Sequence, residues 1–474
     1  MACRLFYAGC LWLGFAGGGL AAGLPAPVTQ ELKAAGIPLS AVAVVTQAVD
    51  DVHPRVALNS ASPMNPASTM KLLTTFAALD LLGPAFVWQT EALISGRLAD
   101  GVLEGNLILR GGGDPKLTWE RLGGLLHQLR SRGLREIRGD LVLNRSAFAV
   151  EGSDPGAFDG ESLRPYNVAP DALLVNFNAL SLTLVPDAAG ATVSILVEPP
   201  LANLDLINRL QLDPAAECGD WRESLRADVI VRGATLRLVL SGHYPARCKE
   251  QRWNIALPEH MLFVAGVFRA LWQGLGGQLA GAVREGLTPP EARPFAVLPA
   301  PTLGEVVRDI NKYSNNVMAR QVFLTLGLVA GQRPAGTADG AAVLRQWLAT
   351  RHLEFPELVL ENGAGLSRRE RISAASLARL LQAAWRSPVM PELMASLPVV
   401  AVDGTMKKRL HENGVAGQAH IKTGLLDGVK SMAGFVLDRQ GRRWIVVFLV
   451  NHPRAAQAGP AMDALLQSVW ERGG

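Results

Sequence analysis

A four-residue segment, Ser-Thr-Met-Lys at positions 68–71, constrains this sequence more than any other feature. It follows Pro66 and begins a run of apolar residues with helical spacing, which predicts a helix ending near Gly83. Residues three apart share one face of a helix, so we expect the Ser68 hydroxyl and the Lys71 amine to meet. An amine kept neutral by its surroundings can take the serine proton, and the free N–H groups of a first helical turn suit an anionic intermediate. The segment therefore predicts a nucleophilic serine with a lysine base.

A second polar segment, residues 311–316, lies between two helical patterns. Its Ser314 and Asn316 are two residues apart, so a tight loop can point both side chains into one cleft. The hydroxyl can then relay a proton to a leaving amine, and the amide can hold a substrate carbonyl. The alternative is a helix N-cap with one additional polar residue.

A third segment, residues 420–424, ends a predicted strand. Lys422 and Thr423 can bind a carboxylate, one as a fixed charge and the other as a hydrogen-bond donor. Gly424 has no side chain, so a substrate backbone can approach the strand closely. The alternative is an edge strand that carries a solubilising lysine.

The three segments occur in the order Ser-x-x-Lys, Ser-x-Asn and Lys-Thr-Gly, which resembles the signature of penicillin-binding proteins and serine β-lactamases. Ser68 and Ser314 are 246 positions apart, a gap far longer than in most of that superfamily. A long insertion of this kind is similar to that of the class C low-molecular-mass penicillin-binding proteins, the D-alanyl-D-alanine carboxypeptidase/endopeptidase family. Local matches to the family lie at residues 105–115, 218–221, 361–368 and 402–405.

The resemblance implies a role for each polar residue of the first two segments. Ser68 attacks the carbonyl of the penultimate D-Ala and forms an acyl-enzyme, with Lys71 as its base. Ser314 and Asn316 complete the proton relay and orient the substrate. Water then releases the acyl group.

The resemblance also implies how the substrate is held. Lys422 and Thr423 bind the terminal carboxylate, and the backbone N–H groups of Ser68 and Leu425 form the oxyanion hole. Leu425 departs from the family pattern, because the residue after Gly424 often carries a hydroxyl in relatives. Substrate preference is therefore expected to differ.

A mixed α/β (α+β) fold is implied: a penicillin-binding/β-lactamase-like domain with an antiparallel sheet flanked by helices, plus a large, mainly β insertion. The patterns agree, since both ends of the chain mix helices and strands and the middle is mainly β. We expect a catalytic domain at residues 23–90 and 253–474, interrupted by an inserted region of one or two subdomains at 91–252. In some relatives an acidic residue of the insertion contacts the amino end of the peptide side chain. Here Asp159 is the candidate, with Glu161 near it.

The first residues have the composition of an export signal. Arg4 precedes an apolar stretch rich in Ala and Gly, and small residues at 21–26 offer a cleavage site; an uncleaved membrane anchor is the alternative. We expect residues 1–22 to be removed and the protein to be periplasmic or otherwise extracytoplasmic, with peripheral association with the membrane or the wall as a further option. In an exported protein, Cys218 and Cys248 predict one disulfide, the alternative being two buried free thiols.

Charge and composition argue against several partners. The formal net charge is +4 and the arginines are spread along the chain, so nucleic acid is not expected. The eight histidines lack metal-ligand spacing, and no metal or other cofactor is expected. The expected partners are peptidoglycan peptides and β-lactam antibiotics.

Two other functions compete with that of a DD-carboxypeptidase or DD-endopeptidase. A serine β-lactamase would need an added base for fast deacylation, and the sequence offers no such element. A non-catalytic wall-binding scaffold would not need the intact serine and both lysines. The sequence therefore favours the peptidase.

Overall fold

The structure, a computed structural model, describes residues 23–149, 154–187, 189 and 191–473. Residues 1–22, predicted to be an export signal, lie outside them. Within the described part, no helix combines the length and the apolar character needed to cross a membrane.

Helices and strands both occur towards each end of the described chain, whereas strands predominate in its middle. The α-helices are α1 (Ala26–Ala34), α2 (Lys71–Leu82), α3 (Trp119–Ser131), α4 (His260–Gly274), α5 (Leu303–Tyr313), α6 (Asn316–Val329), α7 (Thr337–Thr350), α8 (Ala374–Trp385), α9 (Met390–Ser396) and α10 (Gly459–Arg472). The strands are β1 (Val42–Ala48), β2 (Val56–Leu58), β3 (Val87–Ala99), β4 (Val102–Gly111), β5 (Glu136–Ile137), β6 (Leu141–Asn144), β7 (Ala179–Asp187), β8 (Thr192–Glu198), β9 (Leu204–Asp213), β10 (Leu225–Arg232), β11 (Thr235–Pro245), β12 (Gln251–Ala256), β13 (Gln278–Leu279), β14 (Val283–Glu285), β15 (Arg293–Thr302), β16 (Ala419–Leu426), β17 (Val429–Leu437) and β18 (Arg443–Asn451).

The central sheet of the catalytic part joins both ends of the chain. Its five strands lie in the order β16-β17-β18-β1-β2, and all neighbouring pairs are antiparallel. Side chains of a strand alternate between the two faces: in β1, Val45 packs with α2 and α5–α9, whereas Val44 packs with α1 and α10. Because helices cover both faces, β1 and β18 are mostly apolar and almost entirely buried. The expected antiparallel sheet flanked by helices is confirmed.

Helix α2 lies in the middle of the helical layer. Residues 71–79 of this helix are all buried, so it packs against neighbours on every side. The surrounding core therefore fixes the position of the residues at its beginning.

The inserted region has its own sheets and its own core. A seven-stranded sheet contains β3–β6 and β13–β15, and two three-stranded sheets have the orders β10-β11-β9 and β12-β7-β8. Helices α3 and α4 share one hydrophobic core with these strands. Cys218 and Cys248 form a disulfide in a small cluster that also contains Trp221 and Tyr244.

The packing departs from the expected boundary at residue 252. Helix α4 and strand β15 lie beyond that residue, yet α4 packs in the core of the inserted region and β15 pairs with β3. Helical spacing predicts a helix near residues 260–274 but does not indicate which core the helix covers. We therefore propose that the inserted region extends from Val87 to Thr302, rather than from 91 to 252, and that the catalytic domain resumes at α5.

Candidate active site

The first turn before α2 brings the serine and the lysine together. Residues Ala67–Met70 form a 3₁₀ turn that leads into α2 at Lys71. The Lys71 Nζ atom lies 2.8 Å from Ser68 Oγ and 2.6 Å from Asn316 Oδ1, and it donates a further hydrogen bond to the carbonyl of Ala364. Two of the three segments found in the sequence therefore meet at one amine.

The surroundings of Lys71 favour a neutral amine. Its side chain is fully buried, and burial lowers the pKa of Lys71 well below its usual value. The charge of Lys422 acts in the same direction, and Glu370 opposes both. A neutral amine carries the lone pair needed to accept the Ser68 proton. The pair can therefore act as nucleophile and base.

The loop at residues 314–316 joins α5 to α6. Ser314 is the C-terminal cap of α5, with a left-handed φ of +57°. The side chain of Asn315 caps α6, because its Oδ1 accepts a hydrogen bond of 3.0 Å from the amide of Met318. The helix-cap alternative thus applies to Asn315, while Ser314 and Asn316 both line the cleft described below.

The Lys-Thr-Gly segment lies in β16, at the edge of the five-stranded sheet. Lys422 is fully buried, and its Nζ donates hydrogen bonds to Ser314 Oγ at 2.8 Å and to the carbonyl of Thr423 at 2.6 Å. Burial lowers the pKa of Lys422 to about 7. The hydroxyls of Thr423 and Thr405 lie 2.7 Å apart. Lys422 is therefore not the exposed, solubilising lysine of the alternative interpretation.

Gly424 allows β16 to approach the nucleophile. A Cβ atom at this position would lie 2.7 Å from the backbone N of Ser68 and 2.3 Å from Ser431 Oγ, so no larger residue fits without displacing the strand. The next residue, Leu425, is 63% exposed and lines the cleft with its neighbours. The third segment therefore meets the first across a backbone contact that only glycine permits.

An open cleft of about 810 Å³ runs across the three segments, and Asp159 of the inserted region lines it. The Asp159 carboxylate accepts hydrogen bonds from Tyr166 Oη and Asn167 Nδ2, both at 2.8 Å. Partial burial raises the pKa of Asp159, but hydrogen bonds from the Glu161 amide, Tyr166 and Asn167 outweigh it and hold the pKa below its usual value. Glu161 pairs with Arg164 and does not line the cleft. The wall of the cleft thus carries an ionised carboxylate.

Glu370 is a buried carboxylate whose charge acts on Lys71. Its Oε1 accepts hydrogen bonds of 3.0, 3.0 and 3.2 Å from the three consecutive amides at 361–363. This loop supplies the Ala364 carbonyl that binds Lys71. Burial raises the pKa of Glu370, while the three amides and Lys71 oppose the rise. Glu370 therefore orients the loop and places a carboxylate near the base.

Sequence reasoning did not find Glu370. It lies in the charged stretch Ser-Arg-Arg-Glu-Arg at 367–371, which is typical of an exposed turn. The local match at 361–368 ends two residues before it. Only the fold reveals that its side chain is fully buried.

The chemistry of the cleft rests on hydroxyl, amine and amide groups. Among the residues that the structure describes, no three His, Cys, Asp or Glu side chains are grouped as metal ligands.

A known protein family matches almost the whole chain. The sequence profile of the D-Ala-D-Ala carboxypeptidase 3 (S13) family matches residues 26–469. The chain belongs to this family. The D-alanyl-D-alanine carboxypeptidase DacB of Haemophilus influenzae is 26% identical over 395 residues, which are 83% of this chain and 81% of that protein. A D-alanyl-D-alanine carboxypeptidase of an Actinomadura species is 27% identical over 424 residues, 86% of this chain and 76% of that protein.

Solved structures of similar proteins share the fold of this S13 family member. Penicillin-binding protein 4 of Haemophilus influenzae has a TM-score of 0.79 at 24% identity, over 94% of this chain and 99% of that one. A predatory endopeptidase from Bdellovibrio bacteriovorus has a TM-score of 0.51 at 14% identity, over 91% of this chain and 94% of that one. The family match and this fold together confirm that the chain is a class C low-molecular-mass penicillin-binding protein.

Proposed function

We propose that this S13 family member is a serine D-Ala-D-Ala carboxypeptidase, and that it cleaves peptidoglycan stem peptides through an acyl-enzyme on Ser68. The observation that carries the proposal is the hydrogen-bonded group of Ser68, Lys71 and Asn316, with distances of 2.8 and 2.6 Å from the lysine nitrogen. The names of its relatives from Haemophilus influenzae and Actinomadura support the same activity.

In the acylation step, Ser68 Oγ forms a bond to the carbonyl carbon of the penultimate D-Ala while Lys71 accepts its proton. The backbone N–H groups of Ser68 and Leu425 stabilise the resulting oxyanion, at ~3 kcal/mol per donor. The proton taken up by Lys71 is then returned through a relay that ends at Ser314, which accepts a hydrogen bond from Lys422. Ser314 protonates the leaving amine as the peptide bond breaks, and Lys71 is neutral again. Asn316 orients the peptide. Water then hydrolyses the ester and restores the Ser68 hydroxyl.

In this proposal, two groups of side chains hold the two charged ends of the substrate. Lys422 and Thr423 bind the terminal carboxylate, and a bound carboxylate favours the protonated form of Lys422. Asp159 binds the amino end of the peptide side chain, since it is ionised and lines the same cleft. The absence of a hydroxyl at Leu425 removes one contact that relatives offer to the carboxylate.

Two leaving groups are chemically equivalent for this mechanism. A single D-Ala gives carboxypeptidase activity, and the amine of a second stem peptide gives endopeptidase activity. The open cleft of about 810 Å³ supports both, as do the carboxypeptidase and endopeptidase names of its relatives.

In this proposal the protein acts outside the cytoplasm after residues 1–22 have been removed. It associates peripherally with the wall or the membrane. Peptidoglycan is the substrate, and β-lactam antibiotics acylate the same serine. The structure of penicillin-binding protein 4 of Haemophilus influenzae in complex with a β-lactam supports this second partner.

Labelled penicillin tests the proposal. Wild-type protein is expected to form a stable adduct, and Ser68→Ala is expected to form none. The control is Ser62→Ala, at an exposed serine six residues earlier, and it is expected to form as much adduct as the wild type. Rapid turnover of the label would indicate a β-lactamase, and no labelling of the wild type would indicate a non-catalytic scaffold. Chromatography of digested muropeptides then separates D-Ala release from cross-link cleavage. An adduct on Ser68→Ala would refute the nucleophile assignment.

A further inference from the structure

A second groove adjoins the catalytic cleft on the side of the 314–316 loop. Its volume is about 580 Å³, and it lies between the inserted region and the beginning of α6. The groove and the catalytic cleft share Tyr166, Tyr313, Ser314 and Asn316. A substrate bound at Ser68 can therefore extend into this groove without leaving the protein surface.

Three arginines give the groove a positive charge. Arg164, Arg222 and Arg252 line it, and no aspartate or glutamate is among the described residues that do so. We call this feature the arginine groove. All three side chains are exposed, so they are accessible to a ligand.

Arg222 and Arg252 have no carboxylate within ion-pair distance in the described part of the chain. The guanidinium of Arg222 lies 4.4 Å from the ring centre of Trp221, and its Nη2 donates a hydrogen bond of 3.3 Å to the carbonyl of Arg252. Arg164 meets Glu161 at 3.3 Å, where both side chains are about half exposed, so that pair is weak. Arg222 is thus held in place, and no carboxylate in the described lining of the groove offsets its charge or that of Arg252.

The rest of the lining includes aromatic side chains, and one of them, Phe177, lies in a strained backbone segment. Tyr313 is 69% exposed, although large aromatic side chains are usually covered. Asn176, Phe177 and Asn178 have φ values of +47°, +55° and +50°, a conformation that phenylalanine rarely adopts. Backbone strain of this kind clusters at ligand-binding sites.

We propose that the arginine groove is a secondary subsite that binds a carboxylate of the peptidoglycan peptide at a distance from the scissile bond. The guanidinium fork matches a carboxylate in geometry and charge, and stem peptides carry acidic groups besides the terminal carboxylate. That terminal group is assigned to Lys422 and Thr423, on the other side of Ser314, so the arginine groove serves a different anion. The inference rests on the proposed function and extends it to substrate choice.

Two peptides that differ only in charge test the proposal. The first is a D-Ala-D-Ala peptide with free side-chain carboxylates, and the second is the same peptide with those carboxylates amidated. The wild type is expected to have a roughly tenfold higher kcat/KM for the acidic peptide, a preference that falls with added salt. In the double variant Arg222→Gln, Arg252→Gln, the ratio is expected to fall to about one. The control Arg226→Gln, Arg232→Gln, two exposed arginines of β10 outside the groove, is expected to keep the wild-type ratio.

Calorimetry on Ser68→Ala protein measures the same preference without turnover. The acidic peptide is expected to bind about tenfold more tightly than the amidated one, and Arg222→Gln, Arg252→Gln in this background is expected to remove the difference. A wild type that does not prefer the acidic peptide, or a groove variant that keeps the preference, overturns the proposal. A wild type that neither binds labelled penicillin nor releases D-Ala would instead overturn the proposed function.

Discussion

Lys422 is the residue at which stability and activity conflict most directly. Burial lowers its pKa from 10.5 to about 7. Below about pH 7 the lysine is protonated in both the folded and the unfolded protein, so the folded state bears the full cost of a buried charge. Between about pH 7 and pH 10.5 only the unfolded state keeps the proton, and the cost falls as the pH rises.

Replacing Lys422 with Met removes this cost. One pKa unit corresponds to about 1.4 kcal/mol, so the buried lysine costs the folded state ~4 kcal/mol at neutral pH. The substitution also removes the hydrogen bonds to Ser314 and Thr423, which contribute ~1 kcal/mol each. We therefore expect Lys422→Met to raise the free energy of unfolding by about 2 kcal/mol at neutral pH and to abolish D-Ala release.

Unfolding curves of the wild type and Lys422→Met, recorded from neutral pH to about pH 10.5, measure this effect. The gain is expected to shrink as the pH rises and to change sign, so that near pH 10.5 the variant is less stable than the wild type by ~2 kcal/mol, the contribution of the two lost hydrogen bonds. The control is Lys408→Met at an exposed lysine, which is expected to change the free energy of unfolding by less than about 0.5 kcal/mol. A Lys422→Met protein that is less stable than the wild type at neutral pH, or whose gain is independent of pH, contradicts the reasoning.

Three further predictions follow from the site and the inserted region. Glu370→Gln keeps a hydrogen-bond acceptor but removes the negative charge that raises the pKa of Lys71. The acidic limb of the pH profile of penicillin acylation is therefore expected to move to lower pH. If the limb does not move, the charge of Glu370 does not act on Lys71. Asp159→Asn is expected to lower kcat/KM about tenfold for peptides with a free side-chain amine, and much less for acetylated ones, as measured by D-Ala release. Cys218→Ser breaks the disulfide with Cys248 and is expected to destabilise the inserted region by about 2–4 kcal/mol; calorimetry would contradict this if the variant melted like the wild type.

Local patterns predicted the elements on which the site is built. The spacing after Pro66 predicted α2, which ends at Leu82. The dipeptide Asp100-Gly101 is typical of a hairpin turn, and it connects β3 to β4 with a positive φ at both residues. The third segment, at 420–424, was predicted to lie in a strand, and it lies in β16. These features depend on neighbours in the chain, so the sequence carries their signal directly.

Other features depend on contacts between distant segments, which no local pattern encodes. Helix α4 was predicted as a helix, but the core that it covers is set by β3 and β15. Glu370 resembles a surface residue until the amides at 361–363 are seen to surround it. The arginines of the groove are scattered over 88 positions from Arg164 to Arg252, and only the fold assembles them.

The pairing of β1 with β18 has a consequence for how the chain matures. Val42 lies opposite Val450, so the chain cannot complete the central sheet until its last strands have been synthesised. The strands of the inserted region all precede Leu303 and are available much earlier. We therefore expect the inserted region to be folded while the catalytic half is still open, and a polypeptide that stops before Arg443 to lack the reactive pocket altogether.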